Sequence, residues 1–384
     1  MDKDIKQEYN FILYRETLVF GAISNDILRR AMGISKYRKT RLFLVKCSEE
    51  FCDHAKNYVV SYNLEILLAQ SIQEIKYTLL NYGINNQIIV THTWPNTLFP
   101  VSKIFEHENL VLIEDMAPLI DRWRGGKTDR KNFDYALTLR PVRKIITFRY
   151  RRAIRRAKMY VAISDYEQKF IRVFYELVPD AVVYCPVDDR FFAYSETERV
   201  SLIVFGNPDQ NVINFVSKSL GPSRIKEIIL INSSLSFSGG FVSDTKITEI
   251  RNYSFQKIKD QYRKAVLSIS DESRGAFELT PIESIMSGVP IISPAVPSIQ
   301  ILTDRIDSST QQSEGKCYPY FNYMKLLGNC KEGKSLEELA RWYTEVIGQR
   351  EFFSVMCNKL FSIDAVAKHF LANVEHHFSY FLEK

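Results

Sequence analysis

The sequence predicts an α/β fold of two Rossmann-like domains facing across a cleft, and three observations carry that expectation. Short runs rich in Val, Ile and Leu alternate with amphipathic stretches through the first half of the chain. Such runs are the mark of strands buried on both faces, as in parallel sheets covered by helices. A polar stretch without periodicity, VDDRFFAYSETERV (187–200), interrupts the alternation, which then begins again. Finally, 384 residues exceed one ordinary core and suit two. We therefore expect one domain over 1–190, a second over 191–360, and a C-terminal helix, 361–384, packing back toward the first.

The elements follow in order. FILYR (11–15) reads as a strand, and a helix follows from about Gly21 to Met32, with Ile23, Ile27 and Leu28 at helical spacing. RLFLVKC (41–47) and YVVSY (58–62) read as β-rich runs. LEILLAQSIQEIKYTLLNYG (64–83) reads as one helix stopped at its glycine. IIVTHTW (88–94) and LVLIEDM (110–116) are strands ending in polar residues. MYVAIS (159–164) is a buried strand, Asp165 is expected to cap the next helix, and AVVYCP (181–186) closes the half.

The second half repeats the scheme. SLIVFG (201–206), EIILINS (227–233) and AVLSIS (265–270) read as strands, with helices near 210–220 and over QKIKDQYRKA (256–265). The tail from about Ser335 is helical. Open parallel sheets bind ligands beyond the carboxyl ends of their strands. That places His92, Glu114 and Asp115 at candidate positions, with ordinary loop polarity as the competing reading of each.

Composition excludes some classes. Apolar residues are 46% and charged residues 25% of the chain, a soluble globular balance. No run approaches the ~18 apolar residues of a membrane span. The polar start MDKDIKQEYN is not a secretory signal, so a cytoplasmic address is expected, with peripheral contact to the inner face of the membrane as an extension. The 6 cysteines lack metal-ligand spacing and read as free thiols, so no metal site is expected.

GAFELTPIESIMSGVPII (275–292) holds a helix signature. Thr280 suits an N-cap, Pro281 the first helical position and Glu283 the third, which is a capping box. Gly288 stops the helix. The same geometry suits a nucleotide, because a helix N-terminus attracts phosphate and a carboxylate in its first turn can hold a ribose diol. The two readings are compatible.

This stretch resembles the signature of retaining nucleotide-sugar glycosyltransferases of the GT-B fold, similar to glycosyltransferase family 4. AKMYVAISDYEQKFI, VVYCPVDDRFF, IVFGNPD and KDQYRKAVLSIS resemble its other landmarks in order, so the likeness spans about 145–305. Over 10–140 it is architectural. The resemblance implies sugar transfer from a nucleotide-sugar donor to a saccharide or lipid-linked acceptor, with retained configuration. It implies no metal and no cofactor beyond that co-substrate.

By the same resemblance, the first domain is the acceptor side and the second binds the donor. Glu283 holds the ribose. Gly275, Ala276, Phe277, Glu278, Leu279 and Thr280 form the loop around donor sugar and phosphates, and Gly21 belongs to a glycine loop facing the diphosphate. His92, Glu114 and Asp115 are the acceptor-side catalytic candidates. No general base is assigned, since the leaving phosphate takes the acceptor proton.

The sequence departs from the family in three places. Gly275 stands where a glutamate is expected, Glu278 replaces a glycine, and the basic pair after IVFG falls at Asn207 and at Gln210 or Asn211. A diphosphate without opposed cations loses charge-assisted hydrogen bonds about twice as strong as neutral ones. Arg274 is the candidate substitute cation, Asn207 remains a nucleotide-binding candidate without charge, and Glu272 or Glu278 are the substitutes for the sugar contact. These departures keep open a GT-B-shaped partner subunit or binding module without transferase activity.

RPVRKIITFRYRRAIRRAK (140–158) holds nine cations and no acid, more than the whole net charge of +6. Arg149, Arg151, Arg152, Arg155 and Arg156 form its basic face. Three readings compete: a solvated face, an anionic membrane surface carrying the acceptor, and nucleic acid. The last has the least support, since no nucleic-acid motif accompanies it.

Overall fold

In the computed structural model the chain forms two units, Met1–Pro186 with Ile363–Lys384, and Val187–Ser362. The structure describes residues 7–16, 22–114, 140–221, 223–233, 235, 245–251, 255–271, 277–309, 317–332 and 336–382.

The first unit is built on seven strands: β1 (Glu8–Tyr14), β2 (Thr40–Val45), β3 (Leu64–Ala69), β4 (Gln87–His92), β5 (Leu110–Ile113), β6 (Met159–Ala162) and β7 (Ala181–Val182). Their order is β3-β2-β1-β4-β5-β6-β7, and every pairing is parallel. Helices α1 (Ala22–Ser35), α2 (Glu49–Tyr58), α3 (Ile72–Asn81), α4 (Pro95–Ile104), α5 (Arg140–Ile154) and α6 (Asp165–Tyr175) make the described crossovers. The central strands are rich in buried apolar residues because both faces are covered; all six residues of β4 are buried, its polar Gln87, Thr91 and His92 lying at the two ends. The strand order reverses between β1 and β4.

The second unit has six strands: β8 (Ser201–Phe205), β9 (Glu227–Ile231), β10 (Lys246–Ile250), β11 (Ala265–Ser270), β12 (Ile291–Ser293) and β13 (Tyr320–Asn322). They run β10-β9-β8-β11-β12-β13, again all parallel, with the reversal between β8 and β11. Its helices are α7 (Gln210–Leu220), α8 (Phe255–Lys264), α9 (Leu279–Met286), α10 (Pro297–Ser309), α11 (Tyr323–Glu332), α12 (Leu336–Ile347) and α13 (Arg350–Phe361). The last helix, α14 (Ile363–Leu382), belongs to the first unit and packs along α1.

Three local expectations are corrected. YVVSY is not a strand. Tyr58 closes α2, a helix capped by Ser48 that buries Phe51, Ala55 and Tyr58 at helical spacing. The run 64–83 is a strand followed by a helix rather than one helix. LEILLA pairs with β2 in register, and Ser71 caps α3 by accepting from the Glu74 amide. Ser164, not Asp165, is the N-cap of α6; its side chain accepts from Glu167 N, and Glu167 Oε2 accepts from Ile163 N at 2.8 Å. That reciprocal pair leaves Asp165 as an exposed first-turn acid.

Buried arginines fix both ends of the first sheet. At the amino end, Arg41 Nη1 donates to Glu8 Oε2 at 2.7 Å and its Nε to Glu65 Oε2 at 3.1 Å. The Arg41 guanidinium also stacks 4.3 Å from the centroid of Tyr82. Near the end of the unit, Arg29 donates to Pro186 O at 3.2 Å, and Arg30 to Val183 O at 3.1 Å and Tyr184 O at 2.9 Å. Here α1 ties down the segment where the chain leaves the unit. In the second unit, Val187 N donates to Phe361 O at 2.6 Å.

Candidate functional site

In open parallel sheets, the loops after the two strands flanking an order reversal diverge and leave a crevice. Each unit has one such switch point, and each collects polar residues.

In the first unit the switch point lies beyond β1 and β4. The His92 side chain closes β4 and is only 1% exposed. Its Nδ1 accepts the Trp94 amide at 3.1 Å, which places the ring proton on Nε2. That Nε2 is buried, makes no hydrogen bond among the described residues, and lies 3.7 Å from Glu16 Oε1. Glu16 follows β1 directly, so the pair spans the reversal. Gly21 lies outside the described residues.

Glu114 follows β5 and is fully buried. Its amide donates to Val161 O at 2.7 Å, and its carboxylate accepts the Tyr160 hydroxyl. Burial, then the Glu114 charge, pushes the Tyr160 hydroxyl well above the ordinary phenol range; the same causes raise Tyr150. Glu114 thus turns a carboxylate into the core beneath α5. Asp115 lies outside the described residues.

In the second unit the switch point lies beyond β8 and β11. The Asn207 amide donates to Asp271 Oδ1 at 3.2 Å, and Ser233 Oγ donates to Asn207 Oδ1 at 3.3 Å. The carboxyl ends of β8, β9 and β11 are joined through one asparagine. Two residues on, Asp209 caps α7 by accepting from Asn211 N at 2.8 Å.

Helix α9 is the next described element after β11. It begins two residues before the expected start. Glu278 is its N-cap, no side chain caps this end, and Thr280 lies inside the first turn. The capping-box reading of Thr280 and Glu283 is therefore corrected. The reason is packing: Phe277 is buried edge-to-face against Phe361 with centroids 5.6 Å apart, and Ser298 Oγ holds Glu278 O at 2.7 Å. These contacts start the helix earlier than its best N-cap residue would. Leu279, Thr280 and Glu283 are half-buried.

The body of α9 is pinned. Ser284 Oγ lies 2.6 Å from Ser268 Oγ on β11, and Gly288 ends the helix at φ +73°. A Cβ on Gly288 would meet Tyr194 Cδ2 at 2.4 Å. Arg199 braces the same place through four carbonyls: Tyr262 at 3.2 Å, Ala265 at 3.1 Å, Ser195 at 2.9 Å and Ser287 at 3.0 Å. Burial, and then nearby Arg350, lowers its pKa to about 10. Glu272, Arg274, Gly275 and Ala276 lie outside the described residues.

On α5, Arg151 Nε donates to Tyr175 O at 2.7 Å and the guanidinium pairs with Glu176. Arg156 Nε lies 3.3 Å from Glu106 Oε1, and Arg149 sits 5.2 Å over the Phe99 ring. Arg152 and Arg155 are exposed. The basic segment is thus partly structural.

Sequence reasoning passed over Glu16, Ser233, Asp271 and Arg199. The first three each stand just past a strand's carboxyl end, and that position was the available signal. Arg199 gave none, because it acts from the polar linker.

No family model matches the chain, and no curated protein sequence matches it. Solved structures do. A sucrose-phosphate synthase from Thermosynechococcus elongatus is 10% identical, with TM-score 0.63, over 98% of this chain and 100% of that one. The pneumococcal O-GlcNAc transferase GtfA, in complex with UDP and GlcNAc, is 8% identical, with TM-score 0.60, over 97% and 99%. A putative UDP-N-acetylglucosamine 2-epimerase from Listeria monocytogenes is 11% identical, with TM-score 0.51, over 97% and 96%. At such identities the likeness is one of fold. Its two parallel α/β sheets, of seven and six strands, match GT-B glycosyltransferase structures along nearly the whole chain.

Proposed function

We propose that the protein transfers a sugar from a nucleotide-sugar donor to a saccharide or lipid-linked acceptor, with retained configuration and no metal cofactor. The observation that carries the proposal is the second unit's switch point. There Asn207, Ser233 and Asp271 meet, Asp209 caps the start of α7 two residues on, and α9, with Glu283, is the next described helix after β11. Amides at helix starts favour a diphosphate, and Glu283 would hold the ribose. The fold shared with the UDP-complexed transferase supports this reading.

In the reaction, the bond from the anomeric carbon to the diphosphate oxygen breaks. The acceptor oxygen bonds on the same face, and its proton passes to the leaving diphosphate. Arg274 would supply the cation that Asn207 does not. The uncharged Asn207 also favours a second reading, a nucleotide-sugar-binding module without transfer.

Thermal-shift measurements with a panel of nucleoside diphosphates and nucleotide sugars test the site. At a hundredfold excess over Kd, a ligand stabilises by about 2.7 kcal/mol. A shift with one donor, abolished in Glu283→Ala, is expected. No shift with any donor would refute the nucleotide site, and a shift without donor turnover would leave the binding module.

A further inference from the structure

Helix α5 has two unlike sides. Inward, Tyr150, Ala153 and Ile154 are buried in the core of the first unit. On its flanks, Arg151 and Arg156 are paired with Glu176 and Glu106. The outer arc is different. Lys144, Ile145, Phe148 and Arg152 recur at helical spacing on one face, and Arg155, in the turn just after the helix, continues it with its amide bonded to Arg151 O at 3.0 Å. All five are exposed, Ile145 by 60% and Phe148 by 62%. Lys144, Arg152 and Arg155 make no ion pair among the described residues. The helix contains no acidic residue at all.

Two large apolar side chains in water forgo hydrophobic free energy, and three neighbouring cations with no ion pair among the described residues repel one another. A single kind of surface relieves both, one that is anionic outside and apolar just beneath. We propose that α5 is an interfacial helix that lays this face on an anionic lipid bilayer. Phe148 and Ile145 enter the acyl boundary, while Lys144, Arg152 and Arg155 lie at lipid phosphates. Nucleic acid would use the cations but leaves the two exposed apolar side chains without a partner. No helix among the described residues is long and apolar enough to cross a membrane, so the contact is with the surface. The inference does not depend on the nucleotide-sugar reading.

The test is co-sedimentation of the full chain with vesicles of phosphatidylcholine alone and with 30% phosphatidylglycerol, against a duplex-DNA retention assay. Binding is expected only to the anionic vesicles, falling as salt rises. Removing Arg152 and Arg155 together should weaken it about 25-fold, roughly fivefold for each cation. Ile145→Ser with Phe148→Ser should weaken it about tenfold or more, through lost apolar burial. A Phe148→Trp probe should shift its emission to the blue on anionic vesicles. All these positions are exposed, and unchanged circular dichroism and Tm confirm that each variant is folded. Equal binding to both vesicle types, no binding, or duplex retention unaffected by the Ile145/Phe148 pair would overturn the proposal.

Discussion

His92 and Glu16 face each other where the strand order of the first sheet reverses, with Nε2 of the imidazole 3.7 Å from Oε1 of the carboxylate. The gap is too long for a direct hydrogen bond. A hydroxyl seated beside the pair can bridge it, accepting from Nε2 and donating to the carboxylate. A sugar presents such groups. Losing one such hydrogen bond to a charged carboxylate corresponds to about 10- to 100-fold. We therefore expect His92→Ala and Glu16→Gln each to lower kcat/KM by about that factor. The double variant should lose less than the product of the two. Nucleoside diphosphate affinity should stay within about twofold, because that site is assigned to the other unit. Equal loss of nucleotide affinity would assign the pair a merely structural role.

The close approach of α1 to α14 makes a second prediction. Alanine in place of a mid-helix glycine ordinarily stabilises by about 0.5–1 kcal/mol. At Gly33 an added Cβ would lie 2.7 Å from Ala367 Cβ and 2.8 Å from Ile363 O. The sign should reverse, with Gly33→Ala destabilising by about 1–3 kcal/mol. Urea midpoints measure this. Adding Ala367→Gly should recover only part of the loss, since the Ile363 carbonyl stays.

Glu8 and Arg41 give a pH-dependent prediction. Burial alone would raise the Glu8 carboxyl, but hydrogen bonds from Lys39, Arg41 and Gln87 hold it below its ordinary value. A carboxyl depressed in the folded state contributes stability that is complete above its unfolded pKa. That stability is lost as pH falls through the folded pKa. Arg41→Met should cost about 1–3 kcal/mol near pH 7, because it removes the buried one of the two cations on Glu8 while Lys39 stays. The difference from wild type should narrow below about pH 4, as Glu8 takes up its proton. A difference constant from pH 7 to pH 3 would show that Arg41 acts by packing alone.

The doubled α/β design was legible because both-face burial leaves an uninterrupted apolar run in the middle of each central strand, as IIV in β4 and LIVF in β8. Edge elements were not. In LEILLA, Leu64, Leu67 and Leu68 also fit helical spacing, and only pairing with β2 resolves the ambiguity. The two runs misassigned, 58–62 and 64–69, flank each other at the edge of the sheet. There one side lacks a partner strand and the apolar periodicity is weakest.

The same division holds for the site. Strand ends pointed to His92, Glu114 and Asp115, since a parallel sheet must present its polar loops at one edge, and the family resemblance pointed to Asn207. Side-chain direction was beyond the sequence. Glu114 stands at an equivalent strand end, yet its carboxylate turns inward to Tyr160, a residue of β6 far along the chain.

The sequence by itself determined the alternation, the restart after residue 200 and the concentration of cations on one helix. These follow from local periodicity and composition. Only the tertiary structure decided that His92 meets Glu16, that Asn207 joins Ser233 to Asp271, and that α9 begins at Leu279. Each of these depends on contacts between chain segments that lie dozens of residues apart, and their energy exceeds any local preference.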